Sequence, residues 1–103
     1  MTIHNRQFSG RRFEDGSVVV FCDDRPLITH YELSEADEDY FFEWGYEGRG
    51  PRHLAAAIVA EVEGDDLTET MINRFYRKVI TQLPQGGAWK MQSAEVLEAI
   101  EQP

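Results

Sequence analysis

The hydrophobic pattern of this chain changes its period once, at a glycine-rich segment near the middle. Before Trp44, apolar residues alternate with polar ones or form short β-branched runs, which is typical of strands. After Pro51, apolar residues recur every three or four positions, as on one face of a helix. We therefore expect an α+β fold, with two or three helices packed on one face of a three- to five-stranded, mainly antiparallel sheet.

The length of 103 residues favours a single domain, 1–103, with a β-rich half (1–47) and a helical half (51–103). The one cysteine, Cys22, cannot form an internal disulfide, which fits a reducing compartment. The longest apolar stretch, Leu54–Ala60, has seven residues, against about 20 for a membrane span. These features predict a cytoplasmic protein.

The β-rich half is predicted to contain four strands. The central one is rich in β-branched residues and follows an Asp15-Gly16 turn signal. Residues 23–26 are expected to break the ladder, because Pro26 lacks a backbone donor. The predicted strands are Gln7–Phe13, Ser17–Cys22, Leu27–Leu33 and Tyr40–Trp44.

The helical half is predicted to hold three helices and one short strand. Pro51 is expected to occupy the first position of the first helix, and Gly64 to end it. Asp66 and Glu69 have the spacing of a capping box for the second helix, and Ser93 is a cap for the third. The predicted elements are helices Arg52–Val62, Leu67–Leu83 and Ala94–Glu101, and a strand Ala88–Met91.

The glycine-rich loop Gly45–Pro51 is the first candidate site. Backbone amides and the positive end of a helix dipole attract anions, and three basic side chains lie nearby. The glycine spacing matches neither the P-loop nor the dinucleotide fingerprint. The alternative is structural, because glycines permit positive φ angles and close packing of a helix on a sheet. The candidate anion-binding residues are Gly48, Arg49, Gly50, Arg52 and His53.

The second candidate is an acidic stretch beside a block of aromatic residues. Residues 32–43 hold six acids and no base, and five aromatics fall within residues 40–46. Residues 14–47 carry eleven acidic side chains and one basic one, so most of the net charge of −9 belongs to the β-rich half. Such a stretch either keeps a chain soluble or meets a basic partner, and aromatics are common in cores as well as at interfaces. The predicted partner-binding residues are Glu32, Glu35, Asp37, Glu38, Asp39, Phe41 and Glu43.

No metal, cofactor or catalytic arrangement is predicted. The histidines His4, His30 and His53 are far apart in the sequence, and Cys22 lies within an apolar strand. The serines lack the surroundings of a nucleophile elbow. We therefore expect a protein without enzymatic activity.

Residues 42–55 read Phe-Glu-Trp-Gly-Tyr-Glu-Gly-Arg-Gly-Pro-Arg-His-Leu-Ala. The stretch resembles a small domain family of unknown function in bacteria and their phages. In that family an aromatic-x-Trp-Gly-Tyr-x-Gly-x-Gly-Pro-x-x-Leu-Ala motif follows a β-rich half with a Gly-Arg pair, here Gly10-Arg11, and a Val-rich strand, here Ser17–Cys22. The resemblance spans nearly the whole chain and implies an α+β single domain associated with phage or mobile-element genomes. It implies no activity and no catalytic residues.

Together these observations predict a small acidic protein that binds a protein partner with a basic surface. The specific hypothesis is a phage or mobile-element inhibitor of a host nucleic-acid-processing defence complex, of anti-CRISPR or anti-restriction type, whose basic groove the acidic face occupies. The acid excess argues against direct binding to nucleic acid or to anionic membranes. Two alternatives are a small-ligand or nucleotide-binding module that uses Gly45–Pro51 and the helix N-terminus, and a non-inhibitory accessory subunit.

Overall fold

The computed structural model describes residues 6–27 and 42–101. In these residues four antiparallel strands form one sheet in the order β3-β2-β1-β4, and three α-helices pack against it. The α+β class is therefore confirmed. The strands are β1 Gln7–Arg12, β2 Val18–Cys22, β3 Arg25–Pro26 and β4 Trp89–Gln92, and the helices are α1 Arg49–Glu63, α2 Glu69–Lys78 and α3 Ser93–Glu101.

One face of the sheet packs against the helices and forms the core. Successive side chains of a strand point to opposite faces, so the buried ones recur at every second position. On β1 and β2, Phe8, Val20 and Cys22 are at most 3% exposed, and Trp89 and Met91 of β4 are also buried. From the helices the core receives chiefly Leu54, Ala55, Ala57, Ile58, Val59, Ile72, Phe75, Val96 and Ile100.

The hairpin of β1 and β2 is confirmed. The register runs from Phe8 opposite Cys22 to Arg12 opposite Val18. In the connecting turn Gly16 has a φ of 91°, in the left-handed region that glycine adopts without strain. The predicted central strand lies inside the sheet, with β1 on one side and β3 on the other.

The prediction that residues 23–26 break the ladder is wrong. Asp23 has a φ of 57°, and the chain reverses within two residues. Arg25 then pairs with Cys22, and Pro26 with Phe21. The short β3 lies at the edge of the sheet, where a proline is tolerated because its missing donor faces no partner.

The other two predicted strands of this half fall mainly on residues that are not described. Of Leu27–Leu33, only Leu27 is described; it is buried and lies just after β3. Of Tyr40–Trp44, residues 42–44 are described and form no strand. In that part the prediction is wrong.

Helix α1 begins at Arg49, so Pro51 is its third residue and not, as predicted, its first. A proline is tolerated throughout the first turn, because the N–H groups there have no partner within the helix. Gly64 ends the helix with a φ of 58°, as predicted. Eight residues of α1 are buried.

Helix α2 is shorter than predicted, and its predicted cap is wrong. The N-cap is Thr68, whose Oγ1 accepts a hydrogen bond from the Met71 N–H at 3.2 Å. Asp66 lies in a separate 3₁₀ turn, Gly64–Asp66. A second 3₁₀ turn, Ile80–Gln82, follows α2 and keeps Ile80 buried, so the hydrophobic period continues beyond the end of the α-helix. The predicted fifth strand and third helix are confirmed as β4 and α3.

Candidate functional site

The predicted partner-binding residues fall largely on the part of the chain that is not described. Glu43 is described, and it lies in the segment that leads into α1. The other six are Glu32, Glu35, Asp37, Glu38, Asp39 and Phe41.

The carboxylate of Glu43 pairs with Arg12 of β1. Nη1 of Arg12 donates to Oε2 at 2.8 Å and Nη2 donates to Oε1 at 2.5 Å, and each side chain is 18% exposed. The guanidinium also lies 5.1 Å from the ring centroid of Trp44. Hydrogen bonding to Arg12, opposed by burial, lowers the pKa of Glu43. Glu43 therefore joins the 42–48 segment to the sheet.

The Trp44-Gly45 pair fixes this segment against the loop after α2. Trp44 is fully buried, and its Nε1 donates to the Pro84 carbonyl oxygen at 3.1 Å. Gly45 has a φ of 86°, and a Cβ at this position would lie 2.8 Å from the Gln85 Cα. The first glycine of the loop thus has a structural role, because both its φ angle and its surroundings exclude a side chain.

The backbone amides of the candidate anion site are largely occupied. The N–H of Gly48 donates to the Tyr76 hydroxyl at 2.9 Å. Gly50 is buried, and Pro51 carries no N–H. Few amides at this helix N-terminus therefore remain available to a ligand.

The Arg52 side chain also has partners within the chain. Its guanidinium donates to the Asn73 Oδ1 and to the Glu69 Oε1, the latter at 2.8 Å, and lies 5.9 Å from the Tyr76 ring centroid. These contacts join α1 to α2. Arg49 is exposed and His53 is half-buried. The five candidate residues lie at the start of α1, and anion binding by them stays a prediction.

The sheet face opposite the helices carries a groove that the sequence analysis missed. We call it the sheet groove; its volume is about 760 Å³. Its apolar lining includes Val19 and Phe21, both half-buried, and the exposed Ala88, while Phe13 at its margin is 45% exposed. The described residues that line it are Ser9, Gly10, Arg11, Phe13, Val19, Phe21, Ala88, Trp89 and Lys90.

The charged residues of the sheet groove are both basic. Arg11 and Lys90 are exposed, and among residues 6–27 and 42–101 no acidic residue belongs to the lining. The guanidinium of Arg11 lies 5.3 Å from the Phe13 ring centroid, within the range of a cation–π contact. Among the described residues, the charges at this groove are thus opposite in sign to the net charge of −9.

A sequence signal for the sheet groove exists in β2. A strand with one face on the core needs apolar residues only at alternate positions, yet Val18–Cys22 is apolar at all five. Val20 and Cys22 fill the core face, which leaves Val19 and Phe21 on the other. An apolar run of this kind indicates that both faces of the strand meet apolar surroundings.

Two further properties concern only residues 6–27 and 42–101. In this part of the chain no three His, Cys, Asp or Glu side chains are grouped so that they could hold a metal ion. No helix there combines the length and the apolar character needed to cross a membrane. The expectations of no metal and no enzymatic activity stay predictions.

Comparison with known proteins gives one match. The model of a family of unknown function (DUF6166) matches residues 8–102. No curated protein and no solved structure matches the chain. The match agrees with the expected uncharacterised domain family, whereas the motif and the bacterial or phage origin stay predictions.

Proposed function

Because the chain belongs to the DUF6166 family, whose function is unknown, we propose a function from its surface: it is a small protein-binding protein, and the sheet groove is its interface. The observation that carries this proposal is the apolar groove on the face of the sheet that the helices leave open. A mainly apolar groove of this volume with a few polar groups is a usual form of binding site.

The aromatic residue at the groove supports a protein partner. Phe13 and Tyr46 are the large hydrophobic residues that are exposed in the described part of the chain. Phe13 borders the sheet groove, where a partner's side chains can cover it together with Phe21. Aromatic side chains at the centre of a desolvated patch supply much of the binding energy of protein interfaces.

The more specific form of the proposal is an inhibitor of a host nucleic-acid-processing defence complex. Its support is the charge distribution along the sequence, with eleven acids and one base in residues 14–47. An acidic stretch speeds the encounter with a basic partner, after which the apolar contacts of the sheet groove hold the complex. In this form the protein acts in the cytoplasm and needs no enzymatic activity.

Site-specific photo-crosslinking tests the proposal. A benzophenone amino acid replaces Phe13 in one preparation and Tyr46 in another, and each is irradiated in a lysate of the source cells. We expect a discrete crosslinked protein from position 13 and none from position 46, because only Phe13 borders the sheet groove.

A matched pair of variants shows whether the captured protein depends on the groove. Ala88→Gln places a longer side chain in the groove, and Ala94→Gln makes the same change at an exposed position of α3. The crosslink from position 13 should disappear with Ala88→Gln and persist with Ala94→Gln. Equal crosslinking in both variants would show that the sheet groove is not the interface.

A further inference from the structure

The two bases of the sheet groove, Arg11 and Lys90, differ from Arg6 and Arg12 in their ion pairing. Arg12 pairs with Glu43, and Arg6 lies 3.8 Å from both Asp23 and Glu61. Neither Arg11 nor Lys90 forms an ion pair within 4.0 Å with a carboxylate among residues 6–27 and 42–101, although Lys90 also lines a neighbouring pocket together with Glu95. Among the described residues, the two bases of the groove therefore have no carboxylate in direct contact.

The register of the sheet brings these two charges close together. Lys90 pairs with Ser9, and Arg11 lies two residues further along β1 on the same face. Residues at such diagonal positions lie about 7–8 Å apart. The ammonium group of Lys90 and the guanidinium group of Arg11 can therefore both contact one carboxylate. Without an anion, the two like charges repel each other, since no acid among the described residues lines the groove.

Apart from Ser9, the rest of the groove lining is mainly apolar, which favours a hydrophobic group on the same ligand. Val19, Phe21 and Ala88 offer no hydrogen-bonding side chain. The ring of Phe13 adds a further apolar surface, and the guanidinium of Arg11 lies over that ring. A ligand that fills the groove thus combines an apolar side chain with a nearby carboxylate.

Charge excludes two other occupants. A second copy of the chain seated face to face would bring four bases together without a compensating acid, and would lose the apolar gain to repulsion. Nucleic acid needs many basic contacts to compensate the repulsion from a chain of net charge −9, and the groove supplies two.

We infer that the sheet groove binds an acidic peptide segment of a partner protein, with an aromatic or aliphatic side chain against Val19 and Phe21 and a carboxylate between Arg11 and Lys90. This inference rests on the proposed function and specifies the chemistry of its partner. The groove selects peptides that combine a hydrophobic side chain with an acid a few atoms away. It disfavours basic segments.

Selection from a library of random peptides of about twelve residues, displayed on phage, tests the inference. The purified full chain is the bait. We expect enrichment of sequences with Asp or Glu beside Phe, Tyr, Trp or Leu. Enrichment of basic peptides, or no enrichment at all, would overturn the inference.

Fluorescence anisotropy with the most enriched peptide then tests the two bases. Arg11→Gln with Lys90→Gln should weaken binding at least about tenfold, because both charge-assisted contacts are lost. Arg25→Gln with Arg77→Gln removes the same charge from two exposed positions outside the groove and should change the affinity less than about twofold. Equal effects of the two double variants would overturn the assignment of the carboxylate to Arg11 and Lys90.

A third measurement tests the apolar part of the sheet groove. Phe13→Ser should weaken peptide binding several-fold, while a peptide with lysine in place of each acid should not compete.

The photo-crosslink in the source-cell lysate separates the two proposals. If no acidic peptide binds but the photo-crosslink from position 13 still depends on Ala88, the acidic-peptide inference fails and the protein-binding function stands. If that crosslink is absent while acidic peptides bind, the peptide chemistry stands without the proposed cellular role.

Discussion

At the scale of single residues, Arg12 connects three separate parts of the chain. It lies on β1, and its guanidinium donates to the Gly16 and Gln85 carbonyl oxygens as well as to Glu43. Arginine suits this position because its planar group presents several donors in fixed directions. The ion pair with Glu43 is the member of this network that depends on pH.

We predict that Glu43→Gln lowers the free energy of unfolding by about 1.5–3 kcal/mol at pH 7, the usual range for a hydrogen bond to a charged group. The pKa of Glu43 is lower in the folded than in the unfolded chain, so its contribution is complete above the ordinary value of 4.5. It is lost as the pH falls through the lower, folded pKa. The difference between the two proteins in urea unfolding should therefore vanish in acid.

The control for this prediction is Glu14→Gln, at an exposed position in the hairpin turn. It should change stability by no more than about 0.5 kcal/mol at pH 7. A gap between wild type and Glu43→Gln that stayed constant from neutral pH into strong acid would contradict the charge-based explanation.

At Gly10 of β1, the space beside the backbone is too small for any side chain. It is buried, and the indole of Trp89 lies against it, so an added Cβ would overlap the ring. We predict that Gly10→Ala lowers the free energy of unfolding by about 1–3 kcal/mol, the usual cost of overpacking. Gly86→Ala is the matched control, because a Cβ there meets nothing within 4 Å, and it should be neutral or stabilising by up to about 1 kcal/mol. Equal losses in urea unfolding would show that the contact with Trp89 is not the cause.

At the scale of elements, the start of α2 shows how sequence patterns compete. Asp66 and Glu69 have the spacing of a capping box, but Thr68 lies next to Glu69 and caps the helix instead. The 3₁₀ turn Gly64–Asp66 fixes where the chain leaves α1, and this placement leaves Thr68 with the extended backbone that an N-cap needs. The sequence contains both caps, and the packing of α1 selects one.

We predict that Thr68→Ala lowers the free energy of unfolding by about 1 kcal/mol, since the Met71 N–H loses its acceptor. Asp66→Ala should change it by no more than about 0.5 kcal/mol, because this side chain is exposed. Thermal and urea unfolding give both values. The reverse order would place the start of α2 at Asp66.

The strands of the hairpin were easier to predict than which face of the sheet the helices cover. The β-branched run of β2 and the Asp15-Gly16 turn define the hairpin locally, and both are present in the structure. Periodicity also identified β4 and α3. The apolar residues Val19 and Phe21 gave no sign of which face the helices would cover, because that depends on where the helical half returns to the sheet.

At the scale of the whole molecule, the acidic residues are concentrated in one part of the sequence and the bases of the sheet groove lie in others. The acidic residues are concentrated in residues 14–47, whereas the sheet groove carries two bases. A partner that approaches the acidic stretch and then fills the groove needs both a basic and an acidic surface. The acidic stretch and the groove can therefore be tested separately.

We predict that neutralising Glu35, Asp37, Glu38 and Asp39 to Gln or Asn slows association with the crosslinked partner at least about tenfold at low salt and removes most of its salt dependence. The dissociation rate should change little, because the apolar contacts are kept. Stopped-flow or surface-based kinetics at several salt concentrations measure both rates.

A control with the same change in net charge neutralises four exposed acids of the helical half: Asp65, Asp66, Glu98 and Glu101. Its association rate should fall far less, because long-range steering depends on where the charge lies. Equal slowing in the two variants would leave net charge as the only cause and would exclude a specific role of the acidic stretch.

The sequence by itself determined the β1–β2 hairpin, α3 and the end of α1 at Gly64, because these depend on interactions between residues close in the chain. The residue pattern also predicted the α+β class and the strand β4, although β4 is completed only by its pairing with the distant β1. The tertiary structure alone decided the pairing of Glu43 with Arg12, the contact of Gly10 with Trp89 and the partners of Arg52. These join residues far apart in the sequence, and no local period records them. The sheet groove belongs to the second group, since it exists only where the helices cover one face of the sheet and leave the other open.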